Sequence, residues 1–220
     1  MFIEIPPKVL FGIATDSSRM PKLYYHPRWI ARKFFWLRLR YIHALMRRHL
    51  INRNSCLDFG CGSGVFLPTL SNLFRSVRGI DLEMVEARNI AEYYALKNVQ
   101  LIAADIFSAV LDERFDAIVA ADVLEHFDSL DRPVAQIKLW LKGDGLLFTS
   151  LPTENYFTMV TRRFGKYTKP ADHYYSGEEV ETALRNHGFI KIKSITLASC
   201  FPLYLIGVWR QNAAATAEKA

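Results

Sequence analysis

Leu57-Asp58-Phe59-Gly60-Cys61-Gly62-Ser63-Gly64 is the stretch on which the reading of this chain turns. A short apolar run, Ser55–Phe59, ends in three alternate glycines, and a helical pattern opens just beyond them at Val65. Glycines so placed let the backbone turn sharply and let a ligand lie against the main chain. Two better known cradles do not fit. The dinucleotide pattern G-x-G-x-x-G fails because residue 65 is Val, and no Gly-Lys-Ser/Thr completes a triphosphate loop. Gly79-Ile80-Asp81 closes a second apolar run, its acid seventeen residues past Gly64. A carboxylate there can accept hydrogen bonds from two ribose hydroxyls. Ala104-Asp105-Ile106 closes a third run with another acid on the same edge.

Outward from the loop, short apolar runs alternate with helical stretches. Ser55–Phe59, Val77–Ile80, Val99–Ala103, Ala117–Ala121 and Gly145–Ser150 have the length and bounding Gly or Asp of strands. Val65–Phe74, Met84–Leu96, Ser129–Leu141 and Ser176–His187 read as helices, the last with Gly188 at its C-terminal cap. Ile190–Leu197 and Leu203–Arg210 have no helix between them and read as an antiparallel hairpin. The expectation is an α/β chain: a Rossmann-like three-layer sandwich on a mostly parallel seven-stranded sheet with a C-terminal antiparallel hairpin.

N-terminal to the loop the chain changes character. Residues 1–27 hold Pro6, Pro7, Pro21 and Pro27 and are expected to be irregular. Arg28–Leu50 is helical, with two apolar stripes: Ile30, Phe34, Leu37, Tyr41 and Leu45, and one residue later Phe35, Leu39, Ile42, Met46 and Leu50. Lys33, Arg40 and Arg47 form a basic stripe. The net charge of +6 is concentrated here: residues 1–55 carry eleven Lys/Arg against two acids, and the remainder seventeen against twenty. The organisation expected is an extension over 1–50, a ligand-binding domain over 51–212 with a lid at 152–175, and a frayed tail at 213–220.

With 220 residues, 50% apolar and 23% charged, the chain is long enough for one core and is neither disordered nor collagenous. Cys56, Cys61 and Cys200 have no metal-ligand or disulfide-framework spacing, which suits a reducing cytoplasm and no metal. The longest apolar stretch, Ile195–Trp209, is broken by Pro202 and falls short of the roughly 18 residues of a spanning helix. Met1–Leu10 lacks the basic start of a secretory signal.

Taken together these residues resemble the class I S-adenosylmethionine (SAM)-dependent methyltransferases, over roughly residues 50–210. The likeness extends to the small-molecule and lipid-quinone type with a D-V-L-E-H run after the fourth strand, here Asp122-Val123-Leu124-Glu125-His126. The resemblance implies SAM as cofactor and S-adenosylhomocysteine (SAH) as product. By position, Gly60, Gly62 and Gly64 would pack on the methionine and ribose portions, and Asp58 would orient the amino group. Asp81, followed by Leu82, would hold the ribose hydroxyls. Asp105 and Ile106 would meet the adenine, and Ala121 would line the methionine part. Asp105 and Asp122 are equally good helix caps, and Cys61 suits packing better than nucleophilic attack.

Methyl transfer from a sulfonium is an in-line displacement that needs alignment and exclusion of water. A base is needed only when the acceptor must lose a proton, and His126 and His173 are the candidates, each also readable as a loop or packing histidine. Ala120-Ala121-Asp122-Val123 stands where base-modifying enzymes carry Asn/Asp-Pro-Pro-aromatic, which counts against nucleic acid. The aromatic residues of Pro152–Tyr175 point instead to a small, hydrophobic or lipid-like acceptor, methylated at oxygen or carbon. The Arg28–Leu50 helix is either buried, in the chain or a second copy, or lies on an anionic membrane surface, making the protein cytoplasmic and peripheral at the inner membrane face. A catalytically silent interaction or membrane-docking module and an RNA methyltransferase are the alternative readings.

Overall fold

The computed structural model describes residues 1–14, 20–153, 174–197 and 203–212. His173, Cys200, nearly all of the expected lid and the tail at 213–220 lie outside the described residues. Seven described strands form one sheet: β1 (Ser55–Phe59), β2 (Ser76–Asp81), β3 (Val99–Ala103), β4 (Phe115–Ala121), β5 (Leu141–Pro152), β6 (Phe189–Leu197) and β7 (Tyr204–Gln211). Their order is β3-β2-β1-β4-β5-β7-β6. β1 to β5 pair in parallel, and β7 enters between β5 and β6, antiparallel to both. The order reverses between β1 and β4, and ligands of open α/β sheets bind in the crevice at such a switch point, beyond the strands' carboxyl ends.

Strand periodicity sorts the core into two layers. Cys56, Val77, Ala117, Val119, Phe148 and Val208 face one side of the sheet. Leu57, Ile80, Ile118, Ala120, Leu147 and Trp209 face the other. The second side is covered by α5 (Asp131–Trp140), through Val134, Ile137 and Trp140, and by α6 (Gly177–Asn186), through Val180 and Leu184. Ser176 opens α6 with a capping box closed by Glu179, which satisfies two orphan backbone donors at once. At the opposite edge from the switch point, Asp116 accepts from the Asn54 and Ser55 amides at 2.8 and 2.9 Å and pairs with Lys142. Burial alone would raise its carboxyl, but those partners hold it below the usual carboxylate range.

The first side is covered by α2 (Trp29–His49), α3 (Leu67–Leu73) and α4 (Val85–Tyr93), and by a structured N-terminal segment. This corrects the expectation for residues 1–27. Pro7 stands in the first turn of α1 (Pro7–Ile13), where a missing N–H costs nothing, and Lys22–Tyr24 forms a 3-10 turn. Ile5, Leu10, Met20 and Tyr24 are buried with α2. Of the two stripes on α2, Phe35, Leu39, Ile42 and Met46 are buried together with Trp36 and Leu45, whereas Ile30 and Phe34 face solvent. The extension is therefore packed onto the domain. No helix among the described residues is long and apolar enough to cross a membrane.

Candidate functional site

The three loop glycines all adopt left-handed backbone, with φ of +72° at Gly60, +50° at Gly62 and +76° at Gly64, a region that side chains disfavour. The space around them differs. A Cβ on Gly64 would stand 2.8 Å from the Ala87 Cα, so this glycine lets the loop seat on α4. A Cβ on Gly62 would meet nothing within 4 Å, so its backbone is bare toward the crevice. The Gly60 and Cys61 amides donate to the Ile80 carbonyl at 2.9 and 3.1 Å, stitching the loop to the end of β2. The Gly62 amide donates to Asp81 Oδ2 at 2.8 Å. Asp81 thus orders the loop and stands beside it at one lip.

These groups line a chamber of about 880 Å³ across the carboxyl ends of β1, β2 and β4. Gly60, Gly62, Asp81, Leu82, Asp105, Ile106, Ala121 and His126, all expected from the sequence, are on its wall. Leu82 is exposed, and Ile106 is buried behind the lip. Asp105 Oδ1 accepts from the Phe107 amide at 2.8 Å, so it caps its own turn while lining the chamber. Asp58 and Gly64 are set behind that wall. Asp58 is buried, and desolvation together with the neighbouring Asp81 charge raises its carboxyl pKa to about 7. Cys61 packs its sulfur 3.8 Å from the Met84 sulfur, and burial pushes its thiol well above the usual range, which makes it a poor nucleophile.

The other half of the chamber comes from residues that the sequence did not assign to a site, Asp122 of the D-V-L-E-H run among them. Leu23, Tyr24, Phe35 and Arg38 enter from the N-terminal segment, Tyr204 from β7, and Asp122 from the end of β4. Arg38 is buried, with Nη1 2.5 Å from Asp122 Oδ2 and Nη2 donating to the Tyr24 hydroxyl at 2.7 Å. Its guanidinium carbon lies 4.2, 5.6 and 5.4 Å from the ring centroids of Phe35, Tyr24 and Tyr204. Asp122 has φ +54°, and its amide donates to the Ser150 carbonyl while Ser150 Oγ donates back to Oδ1 at 3.1 Å. Burial keeps the Asp122 carboxyl above the usual range, against the pull of Arg38 and Ser150. Burial likewise pushes the Tyr24 and Tyr204 hydroxyls up, so both stay protonated. One signal for this cluster was available: Arg38 sits three residues after Phe35 and four before Ile42, a charge on the apolar stripe.

Comparison with known proteins agrees with this geometry. A family model described as "Methyltransferase domain" matches residues 32–194. Among curated proteins, the chain is 33% identical over 107 residues to (S)-coclaurine N-methyltransferase of Papaver somniferum, which is 46% of this chain and 30% of that one. It is 31% identical over 124 residues to the ubiquinone biosynthesis O-methyltransferase of Paraburkholderia phymatum, covering 54% of this chain and 52% of that one. The chain therefore spans about half the length, or less, of these curated relatives. Among solved structures, the magnesium protoporphyrin IX methyltransferase of Synechocystis PCC 6803 with bound SAH aligns with a TM-score of 0.68 at 16% identity, over 93% of this chain and 94% of that one.

Proposed function

The chain belongs to the class I SAM-dependent methyltransferases, and on that premise we propose that it moves a methyl group to a small, hydrophobic or lipid-like acceptor, at an oxygen or carbon atom. The observation that carries this reading is the single chamber in which the glycine loop and the strand-end acids face an aromatic wall of Tyr24, Phe35, Phe127 and Tyr204. The bared Gly62 backbone and the Asp81 carboxylate beside it suit the cofactor's ribose and methionine portions. SAM, when bound, supplies a methyl group already activated for displacement.

The chain's own residues have three tasks. Asp81 accepts from the ribose hydroxyls while keeping the loop ordered, and Asp105 and Ile106 flank the adenine. Gly60, Gly62, Gly64 and Ala121 shape the methionine channel, and Asp58 behind them favours a positively charged amino group. The aromatic wall orients an apolar acceptor and sheds its water, which is most of what such a displacement requires. Where the accepting atom is a hydroxyl, His126 on the chamber wall is the described residue assigned to take its proton, and His173 is the second candidate.

Titration calorimetry with SAH on the wild type and on Asp81→Ala tests the cofactor half. The expected result is micromolar binding that weakens about ten- to a hundredfold in the variant, since charge-assisted hydrogen bonds are lost. An unchanged affinity would move the ribose site elsewhere.

A second reading concerns how a lipid-like acceptor arrives. Trp29, Ile30 and Phe34 are 61%, 53% and 46% exposed on the first turns of α2. Arg28 and Lys33 flank them, with the Lys33 ammonium 5.7 Å over the Trp29 ring. An apolar tip with a basic fringe suits the surface of an anionic membrane, and Leu23 and Phe35 lead from this end of the segment into the chamber. Co-sedimentation with phosphatidylglycerol vesicles, but not phosphatidylcholine vesicles, is expected for the wild type and is expected to be lost in Phe34→Ser/Lys33→Glu. Wild-type protein that stays in the supernatant with both lipids would sink the docking idea.

A further inference from the structure

Tyr204 stands at the start of β7, its backbone fixed between Pro152 of β5 and Leu197 of β6, and its side chain is part of the chamber wall. The Arg38 guanidinium carbon lies 5.4 Å from the centre of its ring, a packing that phenylalanine would serve as well. Only the hydroxyl asks for a partner. It makes no hydrogen bond among the described residues, and unlike Arg38 Nε it is not enclosed by protein. The charges that act on it, from Asp122, Arg38 and Glu125, all belong to the chamber wall, which puts the hydroxyl at the chamber end of the ring. Burial and the Asp122 charge, against the pull of Arg38, push its ionisation well upward, so it is a donor at neutral pH. The Tyr24 hydroxyl differs, since it already accepts from Arg38 Nη2 at 2.7 Å. A polar group placed on a largely apolar wall fixes the orientation of what fills the space.

We propose that the Tyr204 hydroxyl is a specificity-determining group of the acceptor site, donating a hydrogen bond to a neutral carbonyl or hydroxyl oxygen on an apolar, ring-bearing acceptor. The assignment rests on the methyltransferase reading and narrows it, from any small hydrophobic molecule to one that carries such an oxygen. Neutrality follows from the charges on the wall. Among the described residues four carboxyl groups line the chamber, Asp81, Asp105, Asp122 and Glu125, against one guanidinium, Arg38, which is already paired with Asp122. In a partly enclosed space that balance repels a carboxylate or phosphate, whereas a ketone or phenol oxygen meets the hydroxyl dipole without that penalty. A bare hydrocarbon gains the contact of the rings but leaves the donor without an acceptor. A site built to bond an oxygen discriminates in this way against a molecule that lacks one.

The test uses one ring system with three substituents: 2-acetylnaphthalene, 2-ethylnaphthalene and 2-naphthoate. Each is measured by equilibrium dialysis against SAH-saturated protein, wild type and Tyr204→Phe. Wild type is expected to bind the ketone about tenfold or more tighter than the carboxylate. Tyr204→Phe is expected to weaken the ketone about five- to tenfold, while the affinities for the ethyl compound and for SAH stay within about twofold of wild type. Its melting temperature is expected to match wild type, because the hydroxyl holds nothing in the fold. An unchanged ketone affinity in the variant, or equal losses of ketone and hydrocarbon, reduces Tyr204 to packing and overturns the assignment. So does a carboxylate bound as tightly as the ketone, binding of none of the three rings, or a variant that does not fold. Failure of wild type to bind SAH at all overturns the cofactor reading instead.

Discussion

Asp58 is a carboxyl group with almost no access to water and a second carboxylate nearby, and its pKa of about 7 follows from those two facts. A folded-state pKa raised above the unfolded value means that the native state binds the proton more tightly. Its contribution to stability is therefore full below about pH 4, the ordinary Asp range, and is lost as pH rises through about 7. Asp58→Asn is expected to raise the melting temperature at pH 8 more than at pH 5, measured by thermal scans at both. The same variant is expected to weaken SAH, because the positively charged amino group that a carboxylate favours loses its partner. Wild-type SAH affinity is expected to fall as pH drops below about 7, for the same reason with the sign reversed. The glycines separate in a similar way. Gly64→Ala forces a methyl group into the Ala87 backbone and is expected to lower stability by several degrees, whereas Gly62→Ala meets only open space, keeps most of its stability at a strain cost of about 1 kcal/mol, and loses SAH affinity about tenfold or more.

At the scale of elements, α2 has two regimes along one helix. Trp36 is buried against Phe2 and Tyr24, and Trp36→Ala is expected to cost about 3–5 kcal/mol in urea denaturation. Phe34→Ser, two residues away on the exposed side, is expected to shift the same curve by less than about 0.5 kcal/mol. Much of this level was legible in the sequence. β1 and β3 span the residues that their apolar runs marked, and Ser176 begins α6 where the pattern placed it. Other elements were harder. Pro6-Pro7 reads as a breaker, but a proline in the first helical turn is a start, and only packing distinguishes the two. β5 is twelve residues long, and Lys142-Gly143-Asp144-Gly145 near its start has no strand signature: β4 pairs with Leu141 and then with Leu146 onward, and the four residues fall at the irregularity between the two. Both stripes of α2 have the same spacing, so the sequence could not say which one meets the sheet.

Across the whole molecule the site divides along the same line. The half proposed for the cofactor comes from strand-end loops, where each residue is adjacent to the strand that places it, and a local pattern is enough to find it. The half proposed for the acceptor joins Tyr24, Arg38, Asp122 and Tyr204, drawn from the N-terminal segment, the fourth strand and the last, and no local pattern connects them. The charge is divided too: the eleven basic residues of 1–55 against two acids make the segment that walls the acceptor half the positive end of the chain. The vesicle binding proposed for that end, where the co-sedimentation assay finds it, is expected to weaken as salt rises, since the screening length shrinks to about 8 Å at physiological ionic strength.

The insertion of β7 between β5 and β6 sets an order of events for a chain made from its N-terminus. β6 emerges from the ribosome first, but its described partner strand is β7 alone, so it has nothing to pair with until residues 204–211 follow. Until then β5, with Leu147 and Leu151 on one face and Phe148 on the other, is an open edge. The closing strand is paired on both flanks: Gly207 stands opposite Thr149 of β5 and Ser194 of β6, and the Trp209 indole donates to the Thr149 hydroxyl at 3.0 Å. Tyr204, at the start of that strand, lines the chamber. A nascent chain that has not reached residue 204 therefore lacks both the strand between β5 and β6 and the Tyr204 ring of the proposed acceptor wall, so among the last strand residues to be made is one that lines the chamber.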